Sequence, residues 1–334
     1  MKYNLKKNKS YLVNLVVTLD QNDLGHYLEE ARKDLANNLR IRGFRKGRAP
    51  LEITKDKLNE GHVLNKALDL AMKQSFGEIL TKEKIELVDA GSFEVKENSP
   101  NRMVYSILLT VFPEFKMADY KNIRIKKNDI SVSEEEIDKT VEFIRNSKKQ
   151  NGVLPEITDE FAKSLGQFKD LKEFRVSVGG GLEQEKQEKE SQRIQTFILD
   201  KIAGSTKIEV PPLLVDRQLG QMVFDLDADL HRNGLELGLF LAKIKKTQDE
   251  LKNEWRPKAE VLVKEALIIK EIAKREDMKV EPDEVRERLN QFLQNFATIE
   301  KVQKNIDLPG LASQIQQILL NQKVLAFLEK EAVS

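Results

Sequence analysis

Apolar residues alternate with polar ones from Tyr11 to Leu19, placing Tyr11, Val13, Leu15, Val17 and Leu19 on one side and predicting a strand over 11–19. At Leu24 the period changes. Leu24, Tyr27, Leu28, Ala31, Leu35 and Leu39 recur at spacings of three and four, one helical stripe with Asp20, Asn22 and Asp23 as caps and Gly43 as the stop. Helices are predicted over 51–59 and 62–80, the second with Val63, Leu64, Ala67, Leu68, Ala71, Met72, Phe76 and Ile79 on a wide apolar face. Strands follow over 84–97 and 102–112, joined by the turn Asn98-Ser99-Pro100-Asn101. The first domain therefore reads β-α-α-α-β-β, an α+β unit over 1–113.

Residues 113–131 read as extended. Ser133-Glu134-Glu135-Glu136 is a capping box that opens a helix to Ser147, and Asn151-Gly152 and Pro155 break the chain. This makes 114–152 a linker carrying one helix. From 153 to 334 the pattern is all-α, with helices over 158–177, 182–203, 212–232, 235–244, 247–276, 282–298 and 309–331. A break is expected at Gly179-Gly180-Gly181, because glycine inside a helix costs about 1 kcal/mol relative to alanine. No fixed-period repeat is visible.

Composition narrows the chemistry. In 334 residues, 33% are charged and only 6% aromatic, which suits long solvated amphipathic helices better than a thick core. Lys+Arg number 56 against 55 Asp+Glu, a net charge of +1, so any basic site must be local. The absence of cysteine excludes disulfides, thiolate metal sites and cysteine nucleophiles. His26, His62 and His231 lack partner motifs and read as surface or capping residues. Glu134-Glu135-Glu136 reads as a helix start, and Glu183 to Glu190, interleaved with Lys186, Lys189 and Arg193, as a solvated face. There is no phosphate-binding glycine loop and no Ser-His-Asp signature, so neither a cofactor nor ATP use is expected. No run of about 18 apolar residues offers a membrane span. The apolar run after the basic start MKYNLKKNKS ends at Asp20 without a small-residue cleavage site, so a cytosolic location is expected.

The most informative segment is Gly43-Phe44-Arg45-Lys46-Gly47-Arg48-Ala49-Pro50. With Arg40 and Arg42 it gathers five cations within nine residues, around one aromatic ring. Such a tip suits a phosphate backbone with nearby unpaired bases, or carboxylates on a protein. The plainer alternative is a helix–helix turn with solvated charges and Phe44 tucked into the core. In the helical half, Val215, Leu219, Met222, Val223 and Leu226 form one apolar stripe, and Leu311, Ile315, Ile318, Leu319, Leu325 and Leu328 another. A stripe ordinarily packs on a neighbouring helix. So many amphipathic helices also suit extended arms that leave apolar surface open to unfolded chains. Leu219, Met222, Val223, Leu226, Ile315 and Leu319 are the candidate contacts.

The segment from Gly43 to Pro50 resembles the signature loop G-F-R-x-G-x-x-P of the bacterial trigger factor family. The C-terminal half is also similar to that family at Leu154-Pro155-Glu156, Asp159-Glu160-Phe161-Ala162, Glu209-Val210-Pro211, Asn233-Gly234-Leu235 and Trp255-Arg256-Pro257. The resemblance spans 1–149 and 153–334. It implies an α+β ribosome-binding domain, a linker helix and an all-α chaperone domain with helical arms. It implies docking at the polypeptide exit of the large ribosomal subunit, against ribosomal RNA and a tunnel-exit protein. Phe44, Arg45 and Lys46 would be the contacts, Gly43, Gly47 and Arg48 part of the same loop, and Pro50 the start of the next helix. Nascent and unfolded polypeptides would be the clients, no membrane would be involved, and the free protein would dimerise with its docking domain facing the partner's arms. The family's FKBP-type prolyl isomerase domain has no room between Lys149 and Leu154, so isomerase activity is not expected. The rival readings are a prolyl isomerase and a ribosome-assembly or RNA-binding factor without clients.

Overall fold

The structure is a computed structural model that describes residues 1–39, 44, 53, 57–149, 154–294 and 307–333. These form two compact units, Met1–Lys116 with Ile208–Val263, and Met117–Lys207 with Lys264–Ser334.

The first unit holds a four-stranded antiparallel sheet of β1 (Lys2–Lys9), β2 (Leu12–Asp20), β3 (Leu87–Asn98) and β4 (Arg102–Val111), in the order β1-β2-β4-β3. Helices α1 (Gln21–Asn38) and α2 (Glu60–Lys82) cover one face. The predicted alternation in β2 holds. Leu15, Val17 and Leu19 point with Met103, Tyr105, Ile107 and Leu109 of β4 toward Leu24, Tyr27 and Ala31 of α1 and Val63, Ala67, Ala71 and Ile79 of α2. Asp20 caps α1 in a reciprocal capping box with Asp23. The Tyr105 hydroxyl lies 2.7 Å from Ser75 Oγ inside this core, and burial pushes its pKa up.

Two features depart from the sequence reading. Strand β1 was not foreseen, because only Tyr3 and Leu5 break its run of lysines and asparagines; as an edge strand it needs little more. Helix α1 stops at Asn38, short of Gly43, with Leu39 already extended. The helix expected over 51–59 falls mostly outside the described residues.

The same unit includes α6 (Pro212–Arg232), α7 (Leu237–Ile244) and the start of α8 (Gln248–Arg275). Val215 and Leu219 of α6 pack on Ala259 of α8, beside Val210, Met222 and Trp255, and Arg256 pairs with Asp216 at 2.9 Å. Ser10 Oγ donates to Glu209 at 2.9 Å, and Arg217 donates to Asp89 at 3.1 Å and to the Val88 carbonyl at 3.2 Å.

In the second unit are α3 (Glu134–Ser147), α4 (Asp159–Leu165), α5 (Leu171–Ser205), the end of α8, α9 (Pro282–Gln294) and α10 (Leu308–Ala332). The capping box Ser133/Glu136 is formed. Val141, Phe161, Ala162 and Phe174 make a small core between α3, α4 and α5. Ile125 pairs with Val333, tying the extended segment to the end of the chain.

Here the break expected at Gly179-Gly180-Gly181 is absent, and α5 runs through all three glycines. Phe174 and Val178 anchor that stretch in the α3–α4 core, and packing outweighs a propensity cost of about 1 kcal/mol per glycine. The actual interruption lies earlier, at 166–170. There the Phe168 ring sits where a Cβ on Gly166 would fall, at 2.9 Å, and Asp170 recaps the chain by accepting from Glu173 N at 2.8 Å.

Candidate functional site

The loop singled out in the sequence leaves the tips of α1 and α2. Two ion pairs join those helix ends: Arg32 to Glu60 at 3.2 Å, and Lys66 to Asp34 at 3.2 Å. Asn59 caps α2 by accepting from His62 N at 3.2 Å, and the Leu39 N–H returns to the Ala36 carbonyl at 3.2 Å. These contacts fix the two points from which the loop departs. Phe44 is 42% exposed. Gly43, Arg45, Lys46, Gly47, Arg48 and Pro50 lie outside the described residues.

The six candidate client contacts are not placed alike. Leu219, Val223 and Ile315 are buried, Leu219 to 1% exposure, so these side chains are closed to a client in this conformation. The reading of both stripes as open surface is corrected there: α6 buries its stripe against α8. Met222, Leu226 and Leu319 remain half-buried. The exposed apolar side chains are others. In the first unit they include Phe224, Leu235 and Leu239, and in the second Phe143, Val176 and Ile318. Their signal in the sequence is that they stand off the stripe: Phe224 follows Val223, and Ile318 precedes Leu319.

One charged segment also differs from expectation. Glu190 is not on a solvated face but buried, with its carboxylate held by Arg193 Nη2 at 2.7 Å, Asn128 N at 2.7 Å and Asn128 Nδ2 at 3.0 Å. Arg193 first, then the Asn128 amides, hold its pKa down to about 2. Glu136 is likewise held to about 2 by Lys186 and by the Ser133 N–H it caps. Tyr120 is pushed up to about 12 by burial and by its 2.6 Å hydrogen bond to Glu276. These groups link the extended segment and helices of the second unit to one another, and each faces a partner of its own unit.

His26 lies against Tyr27, and His62 in the first turn of α2. His231 sits in the last turn of α6, where the Asp227 carbonyl and carboxylate raise its pKa. Among the described residues no group of three His, Asp or Glu side chains could hold a metal ion, and no helix is long and apolar enough to cross a membrane.

Comparison with known proteins agrees with the resemblance. The profile of "Bacterial trigger factor protein (TF)" matches residues 1–144, and that of "Bacterial trigger factor protein (TF) C-terminus" matches 170–330. A trigger factor of Clostridium kluyveri is 22% identical over 423 aligned positions, covering 98% of each chain, and one of Clostridium botulinum is 22% identical over 420, covering 97% of each. Alignments longer than these 334 residues mean that the relatives carry sequence this chain lacks. The region the two profiles leave unmatched, 145–169, includes the point where the isomerase domain would be inserted. A solved structure described as "Promiscuous Substrate Recognition in Folding and Assembly Activities of the Trigger Factor Chaperone" shares the fold at a TM-score of 0.57 and 17% identity, over 99% of each chain. On both halves of its sequence and on its fold, this chain belongs to the bacterial trigger factor family.

Proposed function

We propose that the protein is an ATP-independent, cytoplasmic chaperone that docks at the polypeptide exit of the large ribosomal subunit and holds nascent or unfolded chains. The observation that carries this is the loop at the end of the α1–α2 pair, in a chain of this family, with Phe44 exposed. Phe44, Arg45 and Lys46 make the contact to ribosomal RNA and a tunnel-exit protein, with Gly43, Gly47, Arg48 and Pro50 shaping and flanking the loop. Guanidinium and ammonium groups meet phosphates or carboxylates, and the ring stacks on a base or fills a protein pocket.

Residues 1–113 form the docking domain, 114–152 the linker, and 153–334 the client-binding domain. Clients are held by half-buried and exposed apolar side chains, Met222, Leu226 and Leu319 together with Phe224, Leu239 and Ile318. Small separated patches give weak, non-directional attraction, so release needs no nucleotide. The chain is not an enzyme, and the free protein self-associates.

The test is ribosome co-sedimentation of the wild type and of the triple variant Phe44→Ala, Arg45→Ala, Lys46→Ala, each also assayed for suppression of aggregation of an unfolded protein. The variant loses ribosome binding and keeps aggregation suppression. Undiminished ribosome binding overturns the docking assignment. Failure of the wild type to suppress aggregation favours an assembly factor without clients, and acceleration of a proline-limited refolding reaction favours an isomerase.

A further inference from the structure

The sheet of the first unit has a second face, turned away from α1 and α2, and its charge is graded. Strand register sets which residues share it. Lys2, Asn4 and Lys6 of β1 stand opposite Thr18, Val16 and Asn14 of β2. These in turn oppose Val104, Ser106 and Leu108 of β4. Across β4 stand Glu97 and Glu94 of β3. One edge of the face is therefore cationic and the other anionic. Between them lie Val16, Val104 and Leu108, with hydroxyls among them, and Leu108 is 46% exposed.

Lys2 and Lys6 form no ion pair among the described residues. On the acidic edge Glu94 accepts only from Ser106 Oγ, at 3.0 Å, and Glu97 meets Arg102 at 3.6 Å. The acidic edge continues at Asp89, which Arg217 neutralises.

We propose that this face is a self-complementary surface, and that its occupant is the same face of a second copy of this chain. The inference rests on the reading that the free protein self-associates, and it assigns the surface. The charge gradient selects the symmetry. Two sheets stacked face to face can be related by a two-fold axis along the strands or across them. The axis across the strands puts lysine over lysine and glutamate over glutamate. The axis along the strands lays β1 of each copy over β3 of the other, so Lys2 and Lys6 meet Glu97 and Glu94 twice, and the apolar centre packs on itself.

Four strands about 4.8 Å apart and about seven residues long cover roughly 450 Å² on each copy, below the area of a standard stable interface. The dimer is therefore weak, concentration-dependent and salt-sensitive.

Sedimentation velocity up to about 100 µM, a range suited to an interface of this size, tests it. Two variants are compared with the wild type: Lys2→Glu with Lys6→Glu, and Glu94→Lys with Glu97→Lys. All four positions lie at the sheet edges outside the hydrophobic core, and circular dichroism checks the fold. The wild type dimerises, and each variant alone loses about tenfold or more in association. Mixing the two restores it, because every edge then meets its opposite. Dimers that persist in both variants, or that mixing fails to restore, overturn the sheet-face assignment but leave self-association standing. A wild type that stays monomeric throughout overturns both.

Discussion

Leu219 and Phe224 are five residues apart on α6 and face different surroundings. Leu219 is 1% exposed against Ala259, whereas Phe224 is 67% exposed. Truncating Leu219 to alanine leaves a cavity and lowers stability by about 2–5 kcal/mol. Phe224→Ala changes stability within about 0.5 kcal/mol but weakens suppression of aggregation. Urea denaturation of the two variants, read beside the aggregation assay, separates core from client surface. Sequence periodicity identifies the stripe but not its cover, because the residue that buries Leu219 lies forty positions away on another helix.

Residue chemistry also sets an acid limit. Glu136 and Glu190 have folded pKa values of about 2 against 4.5 for an unperturbed glutamate. Their ionised forms stabilise the fold above about pH 4.5, and that stabilisation is lost as pH falls from there toward 2. Thermal unfolding followed over this range shows a falling midpoint, and Glu190→Gln flattens the fall while lowering the midpoint at neutral pH. An equally steep fall in that variant would show that Glu190 contributes nothing to it.

Among the elements, α5 is the clearest case of packing overriding local preference. A Cβ at Gly180 or Gly181 would meet nothing within 4 Å, whereas one at Gly179 would lie 3.3 Å from Ile137 Cδ1 of α3. Gly180→Ala and Gly181→Ala each stabilise the protein by about 0.5–1 kcal/mol, and Gly179→Ala gains less, because α3 must yield. Denaturant midpoints of the three single variants check the order. The spans of β2, β4, α6 and α8 were legible because their apolar periods are unbroken. Strand β1 was hidden by its lysines, and the interruption at 166–170 depends on the Phe168 ring folding back on Gly166, a tertiary contact with no local pattern. The loop was legible as chemistry, five cations around a ring between glycines.

For the whole molecule, a net charge of +1 supplies no general attraction to nucleic acid, so docking rests on the local cationic tip and weakens as salt screens it. The ion pairs Arg32–Glu60 and Asp34–Lys66 hold the α1 and α2 ends from which that tip projects. The most direct test is a photo-reactive phenylalanine analogue at position 44, irradiated in the presence of translating ribosomes. The account predicts adducts with large-subunit RNA or a protein at the tunnel exit, and their loss when Arg45 and Lys46 are also alanine. Adducts formed only within the chain itself, or with no ribosomal component, would contradict it.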